Sequence, residues 1–157
     1  MAETVPQPLQ KGLPEELRSS ALFMLKRLGM AAKELSFDAY EKLGLRPYHH
    51  AILAVLDQGS SETQGAIAEA LGYDKGQLVG LLDELEDSGL VKRQRDPADR
   101  RRQTVQITAA GRKSLERLRR LSRQLEDEFL ATLDESERRD LHTLLQRLGD
   151  QHLPAKG

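Results

Sequence analysis

Between Lys75 and Thr108 the hydrophobic pattern changes period. Leu78, Leu81, Leu82 and Leu85 recur at three- and four-residue spacing, the mark of one apolar face on an α-helix. The runs Leu90 to Arg95 and Arg102 to Thr108 alternate instead, as half-buried strands do. Asp74 suits the helix N-cap, and Gln77 stands at the capping-box position three residues on. Ser88-Gly89 ends the helix, with glycine where a left-handed residue is wanted. Asp96-Pro97-Ala98-Asp99-Arg100-Arg101 separates the two alternating runs. Pro97 fixes φ and the aspartates favour turns, so this stretch predicts a β-hairpin with a six-residue tip.

The flanking segments read as a series of helices separated by short breaks. Pro14, Glu15 and Glu16 suit a first turn. From there Leu17, Ala21, Leu22, Met24, Leu25, Leu28, Ala32, Leu35 and Tyr40 keep a helical period as far as Leu43, and Gly44 ends it. Such a helix would be about 40 Å long, more than one small core needs. Pro47 opens a second helix, Tyr48 to Asp57, stopped by Gly59. Thr63 caps a third, Gln64 to Leu71, and a tight turn at Gly72 leads to the fourth. A short helix, a glycine turn and a longer helix make a helix-turn-helix, and the hairpin adds a wing. Thr108 caps the next helix, Ala109 to about Leu133. Asp134-Glu135-Ser136-Glu137 starts the last, which carries Leu141, Leu144, Leu145 and Leu148 and ends near Gly149.

The predicted fold is therefore mainly α: about six helices with a two- or three-stranded antiparallel β-wing. Residues 1–12 read as a flexible arm and 13–45 as an N-terminal dimerisation helix. Residues 46–108 form the winged helix-turn-helix lobe, and 109–153 the C-terminal dimerisation helices. The long terminal helices cannot all pack on so small a centre. An isologous homodimer, with both ends interdigitating with their copies, is the simplest solution. Its two recognition helices would then sit about 34 Å apart, one turn of DNA.

Charge adds a partner to this picture. The net charge of the 157 residues is −1, so affinity for a polyanion must come from asymmetry. Val91 to Arg102 supplies it, with six basic residues against two acidic ones. Lys92 aside, these are the wing candidates for DNA contact: Arg93, Arg95, Arg100, Arg101 and Arg102. Asp99 is assigned to orienting an arginine. Lys75, Gly76 and Gln77 open the recognition helix. Lys can donate to guanine O6 and N7, and Gln can pair with adenine, while Gly76 and Gly80 let the backbone approach closely. Gln64, at the start of the preceding helix, joins them. Arg112 and Lys113 are candidates for phosphate contact, the remaining basic residues of that helix reading as a solvated face.

Other chemistries find little material. There is no Cys, which removes disulfides, thiolate metal sites and sulfenic-acid sensing. Adjacent His49 and His50 point about 100° apart on a helix, and His142 and His152 fall outside common ligand spacings. No metal or cofactor is expected. No G-x-S-x-G, H-E-x-x-H or glycine-rich phosphate loop occurs, so no catalytic residues are assigned. Aromatic residues make up 4% of the chain and there is no Trp, which disfavours single-strand binding by base stacking. No apolar run reaches the roughly twenty residues of a membrane span, and the expected location is the cytoplasm.

The order of parts resembles the MarR family of bacterial regulators over nearly the whole chain. The segment Leu81 to Arg112 carries the most specific likeness: a leucine-rich helix, the wing entry Gly89-Leu90-Val91, the tip Asp99-Arg100-Arg101 and the exit Ile107-Thr108-Ala109-Ala110-Gly111. The resemblance implies a triangular homodimer on palindromic double-stranded DNA, usually a repressor. It also implies release by a small aromatic, phenolic or lipophilic effector bound between the dimer helices and the DNA-binding lobe. Phe23, Met30, Tyr48 and His49 are the candidates for such a pocket. One departure stands out: positions often basic in the family are here Gly80 and Glu84, so shape readout by a wing Arg in a narrow minor groove gains weight. The rival reading is a dimeric winged scaffold for protein interaction, or a small-molecule binder without DNA.

Overall fold

The computed structural model describes residues 12–59 and 61–153; apart from Gly12, the expected N-terminal arm lies outside them. Ten elements follow in order: α1 Glu15–Arg18, α2 Ala21–Glu41, α3 Pro47–Gly59, β1 Ser61–Thr63, α4 Gln64–Leu71, α5 Lys75–Asp87, β2 Val91–Arg95, β3 Gln103–Ile107, α6 Ala109–Phe129 and α7 Glu135–His152. Seven helices and one antiparallel sheet of strand order β1-β3-β2 make a winged helix-turn-helix architecture. The chain divides into two compact units, Met1–Leu35 and Ser36–Gly157.

The second unit holds the core. Ile52, Leu53 and Leu56 of α3, Ile67 of α4, and Leu78, Leu81, Leu82 and Leu85 of α5 are buried together with Val91, Val105, Leu115 and Leu118. These are the positions that the helical and alternating periods select. Residue Gly89 closes α5 at φ 72°. Its N–H donates to Glu86 O, and the Leu90 N–H to Leu85 O, both at 2.9 Å. That double closure brings the buried Leu85 and Leu90 together as the chain turns into the wing.

Three details depart from the sequence reading. The first helix is broken at Ser19 and Ser20. The Ser19 hydroxyl donates to Glu15 O, and the Ser20 hydroxyl accepts from Phe23 N–H, so two serines cap a stop and a start where apolar spacing shows only continuity. The hairpin pairs Arg95 with Gln103, which makes its tip residues 96–102, one longer than expected. Residues Ser61–Thr63 supply the third strand of the expected two- or three-stranded wing, with Glu62 opposite Val105. Helix α6 stops at Phe129 rather than Leu133. The Asp134 side chain accepts from Glu137 N–H and the Glu137 side chain from Asp134 N–H. That capping box starts α7 and leaves residues 130–133 to the turn.

Candidate nucleic-acid interface

Burial of the leucine face decides what α5 shows to solvent. Leu78 and Leu81 are covered, which leaves Lys75, Gly76, Gln77, Val79 and Gly80 exposed. The Asp74 carboxylate accepts from Gly76 N–H at 2.9 Å and Gln77 N–H at 3.2 Å, fixing the first turn. The hairpin rises beside it. At its tip, Asp99 Oδ1 accepts from Arg101 N–H at 3.0 Å, and Asp99 O accepts from Arg102 N–H at 2.9 Å. Arg102 Nε lies 3.6 Å from Asp99 Oδ2. Asp96 Oδ1 takes the Ala98 N–H at 2.9 Å. Aspartates thus shape the tip while the arginines project from it.

A concavity of about 700 Å³ lies between the start of α4, the first turns of α5 and the wing. Gln64, Lys75, Arg101 and Arg102 line it together, with Glu69 as its acidic member. Gln64 Oε1 is buried there without a hydrogen-bond partner. Gly76, Gln77, Arg95 and Arg100 are exposed but do not line this cleft.

Other candidates are engaged elsewhere. Arg93 on β2 turns to α5, its Nε donating to Glu86 Oε2 and its Nη2 to Asp83 Oδ1, each at 2.5 Å. Arg112 Nε lies 3.7 Å from Asp57 Oδ1, whose other oxygen accepts from Arg119 at 2.9 Å. Lys113, beside it on α6, is exposed. Phe23 and Met30 line a groove along α2 in the first unit. Tyr48, in the second, packs edge-on against Phe37 and Tyr73 at centroid distances of 5.5 and 5.6 Å.

His49 is buried with both ring nitrogens occupied. Nδ1 accepts from Arg46 N–H at 3.0 Å, and Nε2 faces Glu84 Oε2 at 2.6 Å. An accepting Nδ1 leaves the proton on Nε2, so the neutral ring donates to Glu84. Burial pulls the His49 pKa below its ordinary value, against the opposing pull of Glu84. Arg46 Nη2 also donates to both Glu84 oxygens at 2.5 Å, and that bond chiefly lowers the Glu84 pKa. Sequence reasoning missed Arg46; its visible signal was the odd acid at Glu84. Among the described residues, no cluster of three or more His, Asp or Glu is placed to hold a metal ion.

The family model described as "MarR family" matches residues 43–102, from just before α3 to the tip of the wing. A putative transcriptional regulatory protein for the hcr operon of Thauera aromatica is 32% identical over 114 residues, covering 71% of this chain and 69% of that protein. The chain belongs to the MarR family. Solved MarR-type structures agree with it in fold. A probable transcriptional regulator from Pseudomonas aeruginosa superposes with a TM-score of 0.75 at 29% identity, covering 84% of this chain and 98% of that one. The PcaV regulator from Streptomyces coelicolor, in complex with its natural ligand, gives 0.75 at 25% identity, with 85% and 94% covered. As a MarR-family member the chain is a DNA-binding transcriptional regulator, and the relatives it matches are named as transcriptional regulators. No helix among the described residues is long and apolar enough to cross a membrane.

Proposed function

We propose that this chain acts as a homodimeric repressor on a palindromic operator. Recognition helix α5 would enter the major groove, and the wing would lie over the flanking minor groove. The observation that carries the reading is the convergence of Lys75, Gln64, Arg101 and Arg102 on one cleft. Three cations and a glutamine lining one cleft suit a surface that meets base edges and phosphates at once. The Asp99 hydrogen bonds hold the tip carrying Arg100 and Arg101.

Dimer formation is supported by apolar side chains left open. On α2, Leu22 and Met30 are 65% and 61% exposed; on α7, Leu144 is 54% exposed. Control by a small aromatic or phenolic effector completes the proposal, by analogy with the Streptomyces relative bound to its ligand. Such an effector would shift the population between two dimer shapes. Small phenolic acids that release the DNA would identify its class.

Binding to a palindrome from the gene's own promoter, measured across salt concentrations, tests the central claim. About four phosphates contacted by each half give a log–log slope near −7. A flat response rejects the phosphate contacts. Arg101→Ala or Arg100→Ala should weaken binding to every sequence alike, and unchanged binding by both rejects the wing assignment. A scaffold that engages proteins instead would leave the promoter fragment in the unbound fraction.

A further inference from the structure

The second half of α5 carries Asp83, Glu84, Glu86 and Asp87, an adverse charge for a helix that must approach DNA. Three of these acids are taken up by two arginines from different elements. Arg93 reaches across from β2 and forks over Asp83 and Glu86, its side chain only 20% exposed. Arg46, at the entry to α3, grips both oxygens of Glu84, and His49 adds a third bond. Among the described residues, no ion pair engages Arg95, Arg100 or Arg101 on the wing.

We infer that Arg46 and Arg93 are positioning residues for DNA binding: they clamp the acidic half of α5 from α3 and from β2, fix its angle on the core, and never touch DNA. The inference rests on the DNA-binding reading above and assigns these two arginines a different role from the wing tip. A covered leucine stripe still leaves α5 small rotations about its axis. Charge-assisted bonds on two sides remove that freedom. With the roll fixed, Lys75 lines the same cleft as Arg101. The clamp also offsets two of the four negative charges that would otherwise repel phosphates beyond the first turn.

The test uses the full-length protein and a promoter palindrome, with circular dichroism confirming that each variant is folded. Arg93→Ala and Arg46→Gln should each weaken binding tenfold or more while the salt slope stays at the wild-type value. Arg101→Ala, which removes a phosphate contact from each half, should lower the slope by about 2. Arg93→Glu combined with Glu86→Arg should recover most of the affinity that Arg93→Glu alone loses. If Arg93→Glu does not fold, Arg93→Lys replaces it, and an intermediate loss at constant slope is expected because Lys keeps one bond of the fork. A slope reduced by Arg93→Ala as much as by Arg101→Ala makes Arg93 a phosphate ligand and overturns the inference. A reversed pair no better than Arg93→Glu alone, or unchanged affinity in Arg93→Ala and Arg46→Gln, also overturns it. No binding by the wild-type protein fails the functional reading itself, and the clamp's role falls with it.

Discussion

Gly111 sits where the chain leaves the wing and starts α6, and the space around it is already taken. A Cβ at that position would stand 2.1 Å from the Leu90 carbonyl oxygen and 2.8 Å from Ile107 Cγ1. The obstruction is backbone, and it is pinned: Leu90 O accepts from Thr108 N–H at 3.0 Å, and Gly89 O from the Thr108 hydroxyl at 2.7 Å. Gly111→Ala should therefore cost 1–3 kcal/mol or more, at about the scale of overpacked cores; a denaturant midpoint equal to wild type would contradict it. The two adjacent histidines make a second prediction at this scale. Burial is the first cause that lowers both pKa values, joined at His50 by the Arg119 charge. His50 Nδ1 pairs with the Tyr40 hydroxyl at 2.7 Å. A group whose pKa is depressed by folding contributes stability above its unfolded pKa and loses it as pH falls toward the folded one. Glu84, lowered by Arg46, acts in the same direction at lower pH. The melting temperature should then fall steadily from about pH 7 to about pH 5, the range that brackets the free histidine value. Replacing His49 and His50 by Gln should flatten that slope. A melting temperature that rises on acidification would show that these rings gain protons on folding.

Among the elements, the wing most clearly separates what side-chain pattern reveals from what it leaves out. Helices α4 and α5 were legible because caps, glycine stops and leucine spacing agree: Thr63 accepts from Ala66 N–H and Asp74 from Gly76 and Gln77, as their positions predict. Strand β1 was not, since Ser-Glu-Thr has neither length nor alternation and becomes a strand only because β3 offers an edge. The fate of Arg93 was equally hidden. Sequence shows a basic residue on a cationic hairpin; strand pairing turns that one side chain toward Asp83 and Glu86. Gln64, Lys75, Arg101 and Arg102 were named from sequence, yet their sharing one cleft depends on the wing's tilt, which no spacing encodes. Asp99 tests how the tip is held. Its Oδ1 accepts an Arg101 N–H, a bond that asparagine can also make but alanine cannot. Asp99→Ala should weaken operator binding several-fold while Asp99→Asn stays near wild type. Equal losses in the two variants would mean that the carboxylate charge, rather than the hydrogen bond, does the orienting.

At the scale of the whole molecule, the apolar surface of the terminal helices supports the proposed dimer. Helix α7 has no buried residue, and its Leu144, Leu145 and Leu148 are 54%, 43% and 45% exposed. Three leucines at helical spacing form one contiguous stripe, which monomeric proteins seldom leave to water. Helix α2 repeats the arrangement with Leu22, Leu25 and Leu28. Covering the half of each such side chain that is still open contributes about 1 kcal/mol, and six of them from each copy favour association with a second chain of the same sequence. Leu144→Glu with Leu148→Glu places two carboxylates in that stripe without disturbing the lobe that carries the cleft. Sedimentation should then report a monomer for the variant and a dimer for the wild type. Operator affinity should fall steeply, because a single lobe engages one half-site and loses the effective concentration of the second. A variant that stays dimeric would move the interface away from α7. A monomer that binds the full palindrome as tightly as the wild type would break the link between dimer geometry and operator spacing.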